Sequence, residues 1–175
     1  AGESRSSIIN GKVDTAHPSV VALIQQGSQN SASSCTATII KTDVVKQVGY
    51  VLTAAHCVEG IDGGSPAPSK FVVIEGGDYN VPSALTYAVT AYQKHPSYGG
   101  NAGDAYDFAM VKIAGIDAST KVTPFATKTL DKLQVGAKVD LIGYGKTSDS
   151  DTNNTVRHII NKPIATEAPL LFGFD

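Results

Sequence analysis

The chain has 175 residues, enough to bury one sizeable core or most of an all-β unit of about 200–250 residues. Its 14 basic and 16 acidic residues nearly cancel, which excludes a general electrostatic pull toward nucleic acid or an anionic membrane. No apolar run approaches the roughly 18 residues that a membrane-spanning helix needs, and a composition with 17 Gly and 8 Pro suits short strands over long helices.

In chain order, Ala1–Ser7 is small and polar, and reads as an N-terminal extension or the remnant left when a leader is removed. Strands are predicted at Ser19–Gln25, Cys35–Lys41, Tyr50–Thr53, Phe71–Glu75, Tyr87–Gln93 and Phe108–Ile113, each rich in β-branched and aromatic residues. Two more are predicted at Lys138–Gly143 and Val156–Ile164. The segments Gly60–Ser69, Gly99–Asp104 and Thr147–Thr155 carry turn chemistry. No segment holds an apolar period of 3.6 residues over three turns, so an all-β fold is expected. The strand density divides the chain into a first β unit at 8–115, a connector at 116–134, and the opening of a second unit at 135–175.

Cys35 and Cys57 are the only cysteines, and by themselves fit either two thiols or a disulfide. Beside the second stands His56, in the run Val51-Leu52-Thr53-Ala54-Ala55-His56-Cys57 at the end of a strand. A general base must lie within reach of its nucleophile and keep one rotamer, and small alanines with an anchored neighbour provide that restraint. A lone histidine is more often a satisfied core residue.

The run Thr53–Cys57 resembles the histidine motif of the chymotrypsin/trypsin family of serine proteases. Further elements follow in the family's order. Ile8-Ile9-Asn10-Gly11 is similar to its activation start, and Cys35–Ile40 to the strand whose cysteine bridges to the one after the histidine. His95-Pro96-Ser97-Tyr98 resembles the segment leading to the aspartate, Tyr106–Ile113 the aspartate motif, and Gly143-Tyr144-Gly145 the entry to the second barrel. The resemblance implies a double Greek-key β-barrel, complete in its first barrel and only begun in its second. It implies a Cys35–Cys57 disulfide and a secreted or periplasmic location. It makes His56 the general base and Asp107, 51 residues on, the carboxylate that orients it. Asp104 is the neighbouring competitor, in a glycine-rich loop with no strand directly after it.

Departures from the pattern are equally informative. No Gly-Asp-Ser-Gly-Gly segment occurs, and Ser65, in a Gly/Pro-rich loop, reads as a turn residue. The resemblance therefore implies a second polypeptide carrying the serine and the specificity pocket, acting on protein or peptide substrates. The alternative is an inactive homologue that serves as a binding module. Ile8 is the candidate activation N-terminus, but Ser7, not Lys or Arg, precedes it: the chain is a precursor, the favoured reading, or another protease processes it, or this member activates differently. Tyr144 stands where tryptophan is common, and the chain has no tryptophan, which fits a divergent bacterial member. Gly77-Asp78-Tyr79-Asn80 is similar to the start of a calcium loop, with Asp78 and Asn80 as weak oxygen ligands. No acid follows in Val81–Val89, so no cofactor is expected.

Overall fold

A computed structural model describes residues 8–102, 105–125, 134–148, 150–151, 154–168 and 171–173. Among the described residues the strands are β1 (Lys12–Val13), β2 (Val20–Gln26), β3 (Ala32–Asp43), β4 (Val48–Thr53), β5 (Phe71–Glu75), β6 (Leu85–Lys94), β7 (Ala109–Ala114), β8 (Lys138–Gly143), β9 (His158–Pro163), β10 (Thr166–Ala168) and β11 (Leu171–Gly173). Short 3-10 turns occupy Ala55–Val58 and Pro68–Lys70.

Strands β2 to β7 close into an antiparallel barrel in the order β2-β3-β4-β7-β6-β5. Alternation drives the closure: β4 buries Gly49, Val51 and Thr53, and β7 buries Ala109, Val111 and Ile113. Leu23, Ile39, Val51, Val73, Val111 and Ile113 meet inside, all essentially inaccessible to water. Each such side chain contributes about 1.5–3 kcal/mol of transfer free energy, which sets the barrel's register firmly. Bulges between Ile39 and Lys41 and between Val89 and Ala91 bend β3 and β6 as the sheet curls round.

Strand β2 breaks the alternation, with Val20, Val21, Ala22 and Leu23 all buried. Its outer face is covered by a second sheet, ordered β1-β9-β8. Tyr144, just after β8, and Arg157, just before β9, both donate to the Val20 carbonyl. The seam is tight where Gly143 meets Thr36: a Cβ at 143 would lie 2.5 Å from Thr36 Oγ1.

Two segments make contacts across the expected divisions. Lys12–Val13, within the expected first unit, pairs with Ile159 and His158 of β9 in the second sheet. The expected connector begins inside the barrel: Ile116 is fully buried in its core, and Thr123 donates to the Ile39 carbonyl while its hydroxyl meets that of Ser19. The extension 1–7 lies outside the described residues.

Candidate active site

Register brings two distant segments to one end of the barrel. Strand β4 pairs with β7 so that Thr53 faces Ala109. His56 lies three residues beyond Thr53, and Asp107 two residues before Ala109. Ala54 is extended, and the chain then tightens into the 3-10 turn Ala55–Val58. With about three residues per turn, Ala55 and Val58 face the core along with Cys57, and His56 is left at the surface with 34% of its side chain exposed. Cys57 is bonded to Cys35 of β3, and Thr53 Oγ1 donates to the Thr36 carbonyl, so the turn is fastened to its neighbouring strand.

On the other segment, the Phe108 N–H donates to the Tyr106 carbonyl at 2.8 Å, folding the backbone tightly around Asp107. The His95 N–H reaches the Phe108 carbonyl at 2.9 Å. The His95 ring stacks on Tyr106 with centroids 4.9 Å apart and tilts against Phe108 at 4.5 Å. The residue between those two aromatics is therefore held by its neighbours on both sides.

Asp107 seats His56 through both carboxylate oxygens. Oδ1 accepts the His56 backbone N–H at 2.9 Å, and Oδ2 meets Nδ1 at 2.7 Å. Only 7% of the Asp107 side chain is exposed. An ionised carboxylate only accepts, so Nδ1 carries the hydrogen in this pair and Nε2 keeps its lone pair. Such an imidazole can take a proton at Nε2, and the adjacent carboxylate stabilises the cation that forms.

The other sequence-predicted residues lie elsewhere. Ser65 is exposed in the loop before Pro68–Lys70, and Asp104 lies outside the described residues. Cys35, His56 and Cys57 have donor atoms within 4.8 Å of one another, but the two sulfurs are consumed by the disulfide, so the trio is no metal site. Asp78 Oδ1 accepts the Asn80 N–H at 2.9 Å, and the backbone of Asp78 bridges to Val156. That bridge ties the loop between β5 and β6 to the segment before β9, and among the described residues Asp78 belongs to no group of three or more His, Cys, Asp or Glu placed to hold a metal.

Ile8 is buried, its N–H donating to the Lys146 carbonyl at 2.7 Å directly after Gly143-Tyr144-Gly145. Nearby lies a buried ion pair that sequence reasoning missed: Arg157 Nε to Asp14 Oδ2 at 2.7 Å. Burial would raise the Asp14 pKa, but bonds from His17, Arg157 and the Ala16 N–H outweigh it and hold the carboxyl below its ordinary range. Burial pushes the Tyr144 phenol up, opposed by Arg157. Also unforeseen is a cluster of Glu59, Lys94 and Tyr98 behind the His56 turn.

A family model described as Trypsin matches residues 8–168, nearly the whole chain. The chain belongs to the trypsin family. Among curated relatives, this trypsin-family chain is 26% identical over 142 residues to serine protease SP24D of Anopheles gambiae, covering 79% of the chain and 46% of the relative. The match thus spans about half the length of that relative. Family membership, the closed barrel and the disulfide accord with the expected fold. No helix among the described residues is long and apolar enough to cross a membrane.

Proposed function

We propose that this chain supplies the general base and the orienting acid of a serine endopeptidase, His56 and Asp107, and that the nucleophilic serine lies on polypeptide beyond these 175 residues. The observation that carries the reading is the two-bond seat of His56 on a shielded carboxylate. In the reaction, His56 Nε2 takes the proton of the serine hydroxyl as its oxygen attacks the peptide carbonyl. It returns that proton to the leaving amine, and the resulting acyl-enzyme is hydrolysed by water activated in the same way. Proteins or peptides are the substrates. Cleavage ahead of Ile8 activates the precursor, a reading supported by the burial of Ile8 and its bond to Lys146. The Cys35–Cys57 bond supports an oxidising location outside the cytosol.

The test is a serine-directed fluorophosphonate applied to the full-length protein, before and after cleavage ahead of Ile8, with the labelled peptide located by mass spectrometry. Label on a serine outside residues 1–175, lost in His56→Ala, is the expected result. A cleaved protein that takes no label refutes the hydrolase reading and favours the inactive homologue.

A further inference from the structure

We propose that Glu59 is a positioning residue: acting through Lys94 and Tyr98, it fixes the turn that carries His56 against the segment that carries Asp107. This deepens the reading of His56 and Asp107 given above and rests on it.

The turn needs such support. At its two ends the Cys57 N–H donates to the Ala54 carbonyl at 3.2 Å and the Glu59 N–H to the His56 carbonyl at 3.3 Å, and 3-10 geometry makes both bonds weak. The disulfide restrains it on the β3 side. On the β6 side the restraint is Glu59, which uses both carboxylate oxygens: Oε1 accepts from Lys94 Nζ at 3.1 Å, and Oε2 from the Tyr98 hydroxyl at 3.4 Å. Lys94 Nζ also lies 5.5 Å from the centre of the Tyr98 ring, and Tyr98 packs on the barrel core. Lys94 is the last residue of β6 and pairs with Ala109, two residues after Asp107. The next residue, His95, is the one bonded to Phe108 and stacked on Tyr106. Glu59 therefore links the backbone just after His56 to the strand end that frames Asp107.

A half-exposed ion pair adds little to global stability, whereas misplacing a reacting group by about 1 Å costs on the order of a hundredfold in rate. The two effects are separable by measurement in the full-length protein. Glu59→Ala is expected to lower kcat about tenfold to a hundredfold with KM changed less than about twofold. It is also expected to broaden the downfield proton resonance of His56 Nδ1–H through faster solvent exchange. Lys94→Ala should do the same, the double variant should be no worse than either single one, and Lys94→Arg should restore both readouts. A Glu59→Ala protein with unchanged kcat and a sharp resonance overturns the proposal. So does a loss of activity that follows a lowered Tm and is not restored by Lys94→Arg. Should the parent protein hydrolyse nothing, the resonance still decides: broadening in Glu59→Ala upholds the clamp and sinks only the catalytic reading, and an unchanged line refutes the clamp itself.

Discussion

Replacing Arg157 by methionine removes one member of the buried ion pair in the seam between the two sheets. The guanidinium gives Nε to Asp14 Oδ2 at 2.7 Å, Nη1 to the Val20 and Gly76 carbonyls at 3.0 and 3.3 Å, and Nη2 to the Asp14 carbonyl at 3.3 Å. Its side chain is 3% exposed and that of Asp14 2%. Methionine fills much of the volume but leaves a carboxylate without its cation, a loss worth about 3–5 kcal/mol when such a pair is broken from one side. Two features draw the expectation toward about 3 kcal/mol. Asp14 keeps the N–H groups of Ala16 and His17 and the His17 ring, and the Val20 and Gly76 carbonyls keep the Tyr144 hydroxyl.

Urea unfolding reads this directly, followed by tyrosine emission because the chain has seven tyrosines and no tryptophan. For a slope of about 1–3 kcal/mol per molar, the midpoint falls by about 1–3 M. The pH dependence carries a sign. Asp14 has a depressed pKa in the folded protein, so its contribution is present above the ordinary carboxyl value of about 3.9 and disappears as pH falls through the folded value. The gap between parent and Arg157→Met therefore narrows in acid. A loss below about 1 kcal/mol at neutral pH, or a gap of equal size in acid, refutes this account of the pair. The double variant Asp14→Leu/Arg157→Met should recover most of the stability, since no buried charge is then left alone.

Three further outcomes are expected. Asp107→Asn presents one acceptor to the two N–H groups of His56 and should lower kcat by about four powers of ten with KM little changed, measured by steady-state peptide hydrolysis. Removing the disulfide with Cys35→Ser/Cys57→Ser frees a loop of 22-residue separation and should cost about 3 kcal/mol in thermal or urea unfolding. Tyr87 is buried and donates to Glu75, and burial first, then that carboxylate, push its pKa up to about 12. Its contribution is complete below about pH 10 and is lost as pH rises toward the folded value, at about 1.4 kcal/mol per pH unit. Tyr87→Phe should flatten that alkaline fall in the urea midpoint.

What could be read in the sequence was what local patterning encodes. Phe71–Glu75 and Lys138–Gly143 occur as strands at their predicted bounds because short apolar runs containing Val and Ile are flanked by turn residues. The hairpin of β3 and β4 is longer than predicted: it extends through Thr42-Asp43 and Val48-Gly49, whose pairing comes from the neighbouring strand and not from their own side chains. Strand β1 escaped notice for the same reason, as two exposed residues, Lys12 and Val13, paired with β9. His56 and Asp107 were legible through the short runs around them. Glu59 with Lys94, and Asp14 with Arg157, had no such signature. Their partners lie 35 and 143 residues away, and a single charged residue in a turn ordinarily reads as a solvated one.

Thr36 faces two ways at once. Its carbonyl accepts from Thr53, at the root of the turn that bears His56, and its hydroxyl accepts the Tyr144 N–H at 3.0 Å. The missing side chain of Gly143 makes that second bond attainable. A single methyl group there would act as a wedge, lifting β8 from β3 and drawing the Tyr144 phenol away from the backbone of Val20 and Gly76. The tolerance of the joint is thus about one carbon atom. The half of the molecule that bears His56 and the half that begins at β8 are not free to drift apart in sequence at this point, because whatever alters the fit at residue 143 is felt at the strand that fastens the histidine.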